Sequence, residues 1–375
     1  MVIIRPISTK KELKAFVKFK IDLYKGEPNA VPPLYSDEIG TLLKGKNPAL
    51  DLYDHQPFVA ERDGRIVGRI VAVLNHVDNH NTGKKEVRFG WVDFIDDPEV
   101  ADALFEAVAQ WGRQRGMDTM HGPLGFTDFD PEGMLIDGFD QLATLITIYN
   151  YPYYPLHMER MGFHKAVDWI EFKIYVPEDI PEKHLRIARL AQEKYGLRVV
   201  RLRSVREIID KGYGKKLFDL LNITYSNLYG YTRLSDQMIE HYINMYVSML
   251  RLDMITLIAD RNDNLVCIGV ALPSLSRAMQ KAGGKLFPFG FIPLLKALKG
   301  RPKVCDLMLI AVHPDYQSTG VPAMLFRELI PKFRHLGTEY VESNPELEEN
   351  HRVQTLWGDF HTEQHKRRRI FEKKI

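Results

Sequence analysis

The sequence is poor in cysteine: Cys267 and Cys305 are the two thiols in 375 residues. Two cysteines can build neither a disulfide framework nor a Cys-rich metal site. Both sit in apolar runs and read as small hydrophobes of a core. A surplus of either charge is missing too. The chain carries 51 basic and 49 acidic side chains, for a formal charge of +2. No global positive field exists to hold a polyanion by counterion release, so DNA is not an expected partner. Long hydrophobic runs are also absent. The longest apolar stretch, Phe287 to Leu295, is interrupted by Pro288, Gly290 and Pro293. A spanning helix needs about 20 consecutive apolar residues, so no membrane span is expected. The start, Met1-Val2-Ile3-Ile4-Arg5-Pro6-Ile7, lacks the basic-then-apolar pattern of a secretion signal, and the expected location is the cytoplasm. Apolar residues at 45% and charged residues at 27% fit a folded globular chain, and the length suits two domains.

What is present is an internal repeat. Ile3-Ile4-Arg5-Pro6-Ile7-Ser8 lies over Val199-Val200-Arg201-Leu202-Arg203-Ser204. The stretch Phe58 to Gly68 resembles Leu257 to Gly269; each reads as strand, polar turn, strand. Ala103 to Gly116 aligns without gaps on Met324 to Gly337, both with helical apolar spacing and a terminal glycine. Met161-Gly162-Phe163-His164 faces Gly358-Asp359-Phe360-His361. Four matches in one order imply two copies of one unit. The expected division is 1–178, a helical connector at 179–196 containing Glu182 to Tyr195, and 197–375. Each copy orders strand, one or two helices, hairpin, strand, helix, strand, helix, strand, which implies an α/β fold with a mixed sheet. Insertions break the symmetry at Gly122 to Tyr154 and at Ser274 to Pro302.

The most informative stretch runs from Leu307 to Phe326. An apolar strand turns at His313-Pro314 and passes through Gln317-Ser318-Thr319-Gly320 into an amphipathic helix. A small-residue turn at a helix start leaves backbone N–H groups without intrahelical partners, and these groups with the helix dipole suit an anion. Here the sequence resembles the GNAT superfamily of acyl-CoA-dependent N-acyltransferases. That family's motif is Gln/Arg-x-x-Gly-x-Gly/Ala; Gln317 and Gly320 match it, and Pro322 stands where Gly or Ala is usual, removing one donor. The resemblance implies two GNAT-like domains in tandem, the second holding acetyl-CoA or a longer acyl-CoA. The implied contacts are Ile310, Ala311 and Val312 on the strand, Gln317, Ser318, Thr319, Gly320, Val321 and Ala323 at the turn and helix start, and Asn350 near the pantetheine arm. In the first copy the aligned positions are Asp96, Asp97 and Glu99, carboxylates that repel a diphosphate and can cap the helix themselves. The phosphate turn is therefore expected once.

The resemblance further implies transfer of the acyl group to an amine of a small molecule or peptide. The amine must lose a proton and the departing thiolate must gain one. Candidate bases are Asp306, expected just before the fourth strand, and Glu342 on the fifth, in Tyr340-Val341-Glu342-Ser343-Asn344. The family's acidic tyrosine corresponds to Trp357 in the second copy and Met158 in the first, neither of which is an acid. Asp128, Asp130 and Glu132 in the first insertion read either as ligands of a cationic acceptor or as parts of a packed loop. The second insertion reads as a helical excursion on its own domain, with a long acyl chain or a membrane surface as alternative contacts. His76 and His80 are expected in a polar loop and no metal site is read there. His365-Lys366-Arg367-Arg368-Arg369 reads as a solvated strand. Two rival functions share the pattern: an aminoacyl-tRNA-dependent peptidyltransferase-like enzyme, and a non-catalytic CoA-binding or scaffold protein.

Overall fold

The structure, a computed structural model, describes residues 1–375. In chain order the first copy forms β1 (Ile3–Pro6), α1 (Lys10–Leu23), α2 (Tyr35–Thr41), β2 (Tyr53–Arg62), β3 (Arg65–Asn75), α3 (His76–Thr82), β4 (Glu86–Phe94), α4 (Pro98–Arg113), β5 (Thr119–Gly122), β6 (Met134–Asp137), α5 (Tyr153–Arg160) and β7 (His164–Tyr175). Helix α6 (Glu182–Tyr195) follows. The second copy forms β8 (Arg198–Val199), α7 (Arg206–Asp210), α8 (Tyr213–Thr224), α9 (Asp236–Tyr246), β9 (Ile255–Ala259), β10 (Leu265–Pro273), α10 (Ser276–Ala282) and α11 (Phe291–Lys299). It ends with β11 (Val304–Val312), α12 (Pro322–Leu336), β12 (Tyr340–Ser343), β13 (Glu346–Leu347), α13 (His351–Gln354) and β14 (Thr362–Lys374). The chain is a mixed α/β protein, and the repeated element order is present in both copies.

Packing divides the chain into two units, along lines that differ from the repeat. The first comprises Met1–Trp169, Leu275–Leu295 and Lys366–Ile375; the second comprises Ile170–Ser274 and Lys296–His365. In the first unit strands run β1-β2-β3-β4-β5-β14, antiparallel except for the parallel β4–β5 pair. In the second they run β7-β12-β11-β10-β9-β8, antiparallel except for the parallel β11–β12 pair. The slot beside each unit's fifth strand is thus filled by a strand from the other repeat.

Local sequence explains the long helices. Asp97 caps α4, accepting from Glu99 N at 2.9 Å and Val100 N at 3.3 Å, and Pro98 enters where its missing N–H costs nothing. Val100, Leu104, Phe105 and Val108 then recur at helical spacing and pack with Phe89, Phe94 and Phe371 of the first unit's core. In α12, Pro322 opens the helix and Gly337, at φ +76°, closes it in the left-handed region that other residues resist. Its apolar stripe of Phe326, Leu329, Ile330 and Phe333 packs with Cys305, Leu307 and Val341 of the second unit. Cys267 and Cys305 are buried and free, and burial pushes the Cys305 thiol up to about 12.

Three local expectations need correction. His76 and His80 lie on a short helix rather than in a loop, because Asn75 caps it through Asp78 N and Gly83 ends it at φ +68°. The C-terminal basic run is a strand but not a solvated one: His365, Lys366 and Arg368 are buried. Its cations are bonded inside the first unit, where Asp168 Oδ1 accepts from Arg369 Nε at 2.8 Å and Arg368 Nη1 donates to Ile148 O. Most of the second insertion leaves its own copy, although its end stays there, with Arg251 Nη1 donating to Leu298 O and Gly300 O at 3.0 and 2.7 Å. Its residues Leu275–Leu295 join the first unit, where Gln280 Nε2 donates to Pro28 O and Ala30 O at 2.8 and 2.9 Å.

Candidate active site

The second unit contains an opening made by strand geometry. Strands β11 and β12 pair from Val304↔Tyr340 to Leu307↔Ser343, and β11 then continues to Val312 along β10 alone. A register shift in the β10–β11 ladder, between Val270 and Ala271, leaves Met308 as an extra residue and bends the strand at the point where the pair parts. A wedge opens there. Ile310 and Val312, two of the residues read as acyl-CoA contacts, lie on its wall and are half-buried, while Ala311 is buried. Three strand carbonyls in this stretch are held by side chains: Tyr225 Oη donates to Ile310 O at 2.9 Å, Asn344 Nδ2 donates to Met308 O, and Gln317 Nε2 donates to Val312 O. Neither Tyr225 nor Asn344 was marked by the sequence.

The wall leads to the turn before α12. Gln317 is fixed from both ends of its amide: Nε2 donates to Val312 O at 3.2 Å, and Oε1 accepts from Arg352 Nη1 at 3.0 Å. Thr319 closes the turn by donating to Tyr316 O through its amide and its hydroxyl. The amides of Ser318, Gly320 and Val321 donate to no other group in the chain, so three N–H groups sit spare at a helix start. Gly320, at φ +83°, serves packing as well as the turn. A Cβ there would fall well inside van der Waals contact with Ile187 Cγ2 of α6. The bare face of this glycine is thus covered by the chain itself. Ala323 is buried in the first turn of α12, and Asn350 stands at the start of α13, its carbonyl accepting from Val353 N at 3.1 Å.

The first unit has the same wedge and fills it. Strands β4 and β5 pair from Glu86↔Thr119 to Arg88↔His121 and then part. The chain after β5 turns back into the gap: Leu124 N donates to Phe89 O at 2.8 Å, and the Leu124 carbonyl occupies the place a Cβ on Gly90 would take. The rest of this insertion folds on itself. The Asp130 carboxylate accepts from Phe126 N at 2.8 Å and Thr127 N at 3.1 Å, and burial pushes it up to about 6. The corresponding helix start is occupied as well. Besides the Asp97 cap, Arg62 bonds Asp97 and Glu99 at 2.6 and 2.8 Å, and His157 lies 2.8 Å from Asp96.

Both carboxylates read as candidate bases lie in the second unit, opposite one another in the β11–β12 register at Asp306↔Glu342. Asp306 is inside β11 rather than before it, since the ladder starts at Val304. Both are buried. The structure adds two residues that sequence reasoning missed. His365 Nε2 donates to Glu342 Oε1 at 2.8 Å, and Glu171 completes a buried group whose ligand-type atoms all lie within 4.8 Å. A cation could bridge such a trio, but the hydrogen bond already engages two of the three with each other. A further missed residue is Glu346, at the start of β13. Trp357 Nε1 donates to Glu346 Oε1 at 2.9 Å, and burial raises the Glu346 carboxyl to about 7. Trp357 also lines a small apolar cavity of about 50 Å³ with Leu307, Ile310, Leu325, Phe326 and Phe360.

No protein-family profile matches the chain. It is 28% identical over 379 residues to Protein YghO of Escherichia coli (strain K12), covering 100% of this chain and 95% of that one. It is 28% identical over 323 residues to the bacterial ceramide synthase of Caulobacter vibrioides (strain NA1000 / CB15N), covering 85% and 83%. Among solved structures, a tandem GNAT protein from the clavulanic acid biosynthesis pathway superposes with a TM-score of 0.55 at 13% identity, over 100% of this chain and 98% of that chain. The fold is therefore a tandem GNAT fold, as the repeat and the turn implied. No helix is long and apolar enough to cross a membrane.

Proposed function

We propose that the chain is an N-acyltransferase that moves an acyl group from acyl-CoA to an amine, with one acyl-CoA site per chain, in the second unit. The observation that carries this reading is the contrast between the wedges. In one, side chains alone reach the end of β11 and the turn leaves three spare amides; its duplicate is filled by the backbone at Leu124 and capped by Asp97. The thioester would lie along β11 with its diphosphate at the turn before α12. The amine nitrogen attacks the thioester carbon, the C–N bond forms and the C–S bond breaks. Glu342, oriented by His365, takes the proton from nitrogen. Glu346 gives a proton to the thiolate, replacing the tyrosine whose place Trp357 occupies. The relative named ceramide synthase supports an acyl chain longer than acetyl. The relative named ceramide synthase supports an amine borne on a lipid, since a ceramide is a fatty amide of a long-chain amino alcohol.

The test is a thiol-release assay with acetyl-CoA and palmitoyl-CoA against a panel of primary amines that includes long-chain amino alcohols. Turnover with palmitoyl-CoA and a long-chain amine is expected. CoA binding without thiol release across the panel would instead support a non-catalytic scaffold.

The Glu346 assignment has its own pH signature. A general acid must be protonated, so kcat should decline above an apparent pKa of about 7. The Trp357 hydrogen bond favours the ionised carboxylate, so Trp357→Phe should move that decline to higher pH. Folding is linked the same way. The native pKa is raised, so the associated stability is present at acid pH and is lost as pH climbs through about 7. A kcat profile that Glu346→Gln leaves unchanged would remove Glu346 from the mechanism.

A further inference from the structure

The insertion between β10 and β11 presents the least covered apolar surface of the chain. Phe287 is 78% exposed, Phe289 71%, Ile292 51%, Leu295 45% and Phe291 37%. Helix α11 buries Leu294 alone among its residues. The base of this tip is firmly held within the first unit. Besides the Gln280 bonds, Arg277 Nη1 donates to Pro28 O at 3.2 Å and Tyr35 N donates to Gly284 O at 2.8 Å. The exposed rings therefore stand on an anchored support.

Charge decides what such a surface can meet. From Ser274 to Lys303 the sequence holds seven Lys and Arg residues and no Asp or Glu. Lys281 and Lys285, at the base of the tip, are exposed. A cavity of about 330 Å³ beside them is lined by Lys20, Lys25 and Arg277 against a single acid, Glu27. A second copy docking through this face would set cations against cations with no carboxylate from either segment to pair them. An anionic bilayer offers the complement, with phosphates at the level of the lysines and hydrocarbon for the rings.

We propose that this tip is a membrane-docking element that inserts Phe287, Phe289 and Ile292 into the interface of an anionic lipid bilayer. The chain would lie on the membrane without crossing it. The proposal is independent of the acyl-transfer reading, because it needs no turnover.

The experiment is flotation of the full chain with two vesicles, phosphatidylcholine alone and phosphatidylcholine with phosphatidylglycerol. The unmodified chain should float with the anionic vesicles, less with the neutral ones, and less still as salt rises. Phe287→Ser/Phe289→Ser/Ile292→Ser should weaken binding about tenfold or more, since each buried ring or branched chain contributes to the partition. Lys281→Glu/Lys285→Glu should weaken binding to the anionic vesicles and leave the neutral ones unaffected. These side chains are exposed, so the thermal midpoint should not move. Failure to float with either vesicle, or equal flotation of the triple variant, would overturn the proposal. So would a dimer, seen by sedimentation velocity, that the triple variant dissolves.

Discussion

Replacing Glu342 with glutamine is expected to lower kcat about 100- to 10,000-fold, the range over which general bases contribute, and to leave acyl-CoA affinity unchanged. Glutamine keeps the side-chain shape and can still accept from His365, so the buried packing around β12 survives. What disappears is the capacity to take a proton from the attacking amine. His365→Gln should cost less, because the imidazole acts by orienting the carboxylate. The pre-steady-state affinity for palmitoyl-CoA and the single-turnover rate of thiol release separate the two effects. A Glu342→Gln variant with more than about a tenth of the original rate would assign the base elsewhere, with Asp306 the next candidate by its place in the register.

Thr319→Glu is expected to remove acyl-CoA binding, by about 100-fold or more, while the chain stays folded. Thr319 is half-buried in the turn between Ser318 and Gly320, so a carboxylate there lies among the spare amides. It would satisfy them internally and repel the diphosphate, as Asp97 does in the first unit. Gly320 is a poorer position to alter, because Ile187 fills the space its Cβ would need and any loss of binding would be mixed with loss of fold. The matched control is Glu99→Ala. It should leave the thermal-shift response to palmitoyl-CoA intact, since the Asp97 cap persists. Equal loss from Thr319→Glu and Glu99→Ala would contradict a single site.

Much of the architecture was legible because it is local. The Gln317–Gly320 turn, the strand before it and the helix after it are contiguous from Leu307 to Phe326, and duplication gave each element a second reading. The acid-capped duplicate at Asp97 was legible for the same reason. Glu342 could be marked because its strand repeats. Its partners could not: Glu171 arrives on a strand of the other repeat, and His365 sits at the head of a basic run. Glu171 lies on the last strand of the first repeat and His365 on the last strand of the second, yet both pack in the second unit beside β12. A reading that cuts the chain at its repeats separates Glu171 from its neighbours and leaves His365 as the head of a basic run. The same exchange explains why the run from Lys366 to Arg369 looked solvated: its carboxylate, Asp168, lies about 200 residues earlier. Glu346 was hidden by company, among Glu348 and Glu349, until burial and the Trp357 bond set it apart.

The wedge contrast is also a statement about what duplication allows. In the first repeat the insertion after β5 occupies the gap, and the strand pair it fills sits over a dense aromatic core. A filled wedge stabilises its unit through backbone pairing that an open wedge forgoes. One repeat carries a backbone segment in its wedge and the other does not.

The most direct test is a crystal structure of the chain with palmitoyl-CoA. The diphosphate is expected within hydrogen-bond distance of the Ser318, Gly320 and Val321 amides, with the thioester between β11 and β12 and Glu342 on the side from which the amine approaches. A nucleotide bound instead at the Asp97 end of α4, or two per chain, would contradict the account.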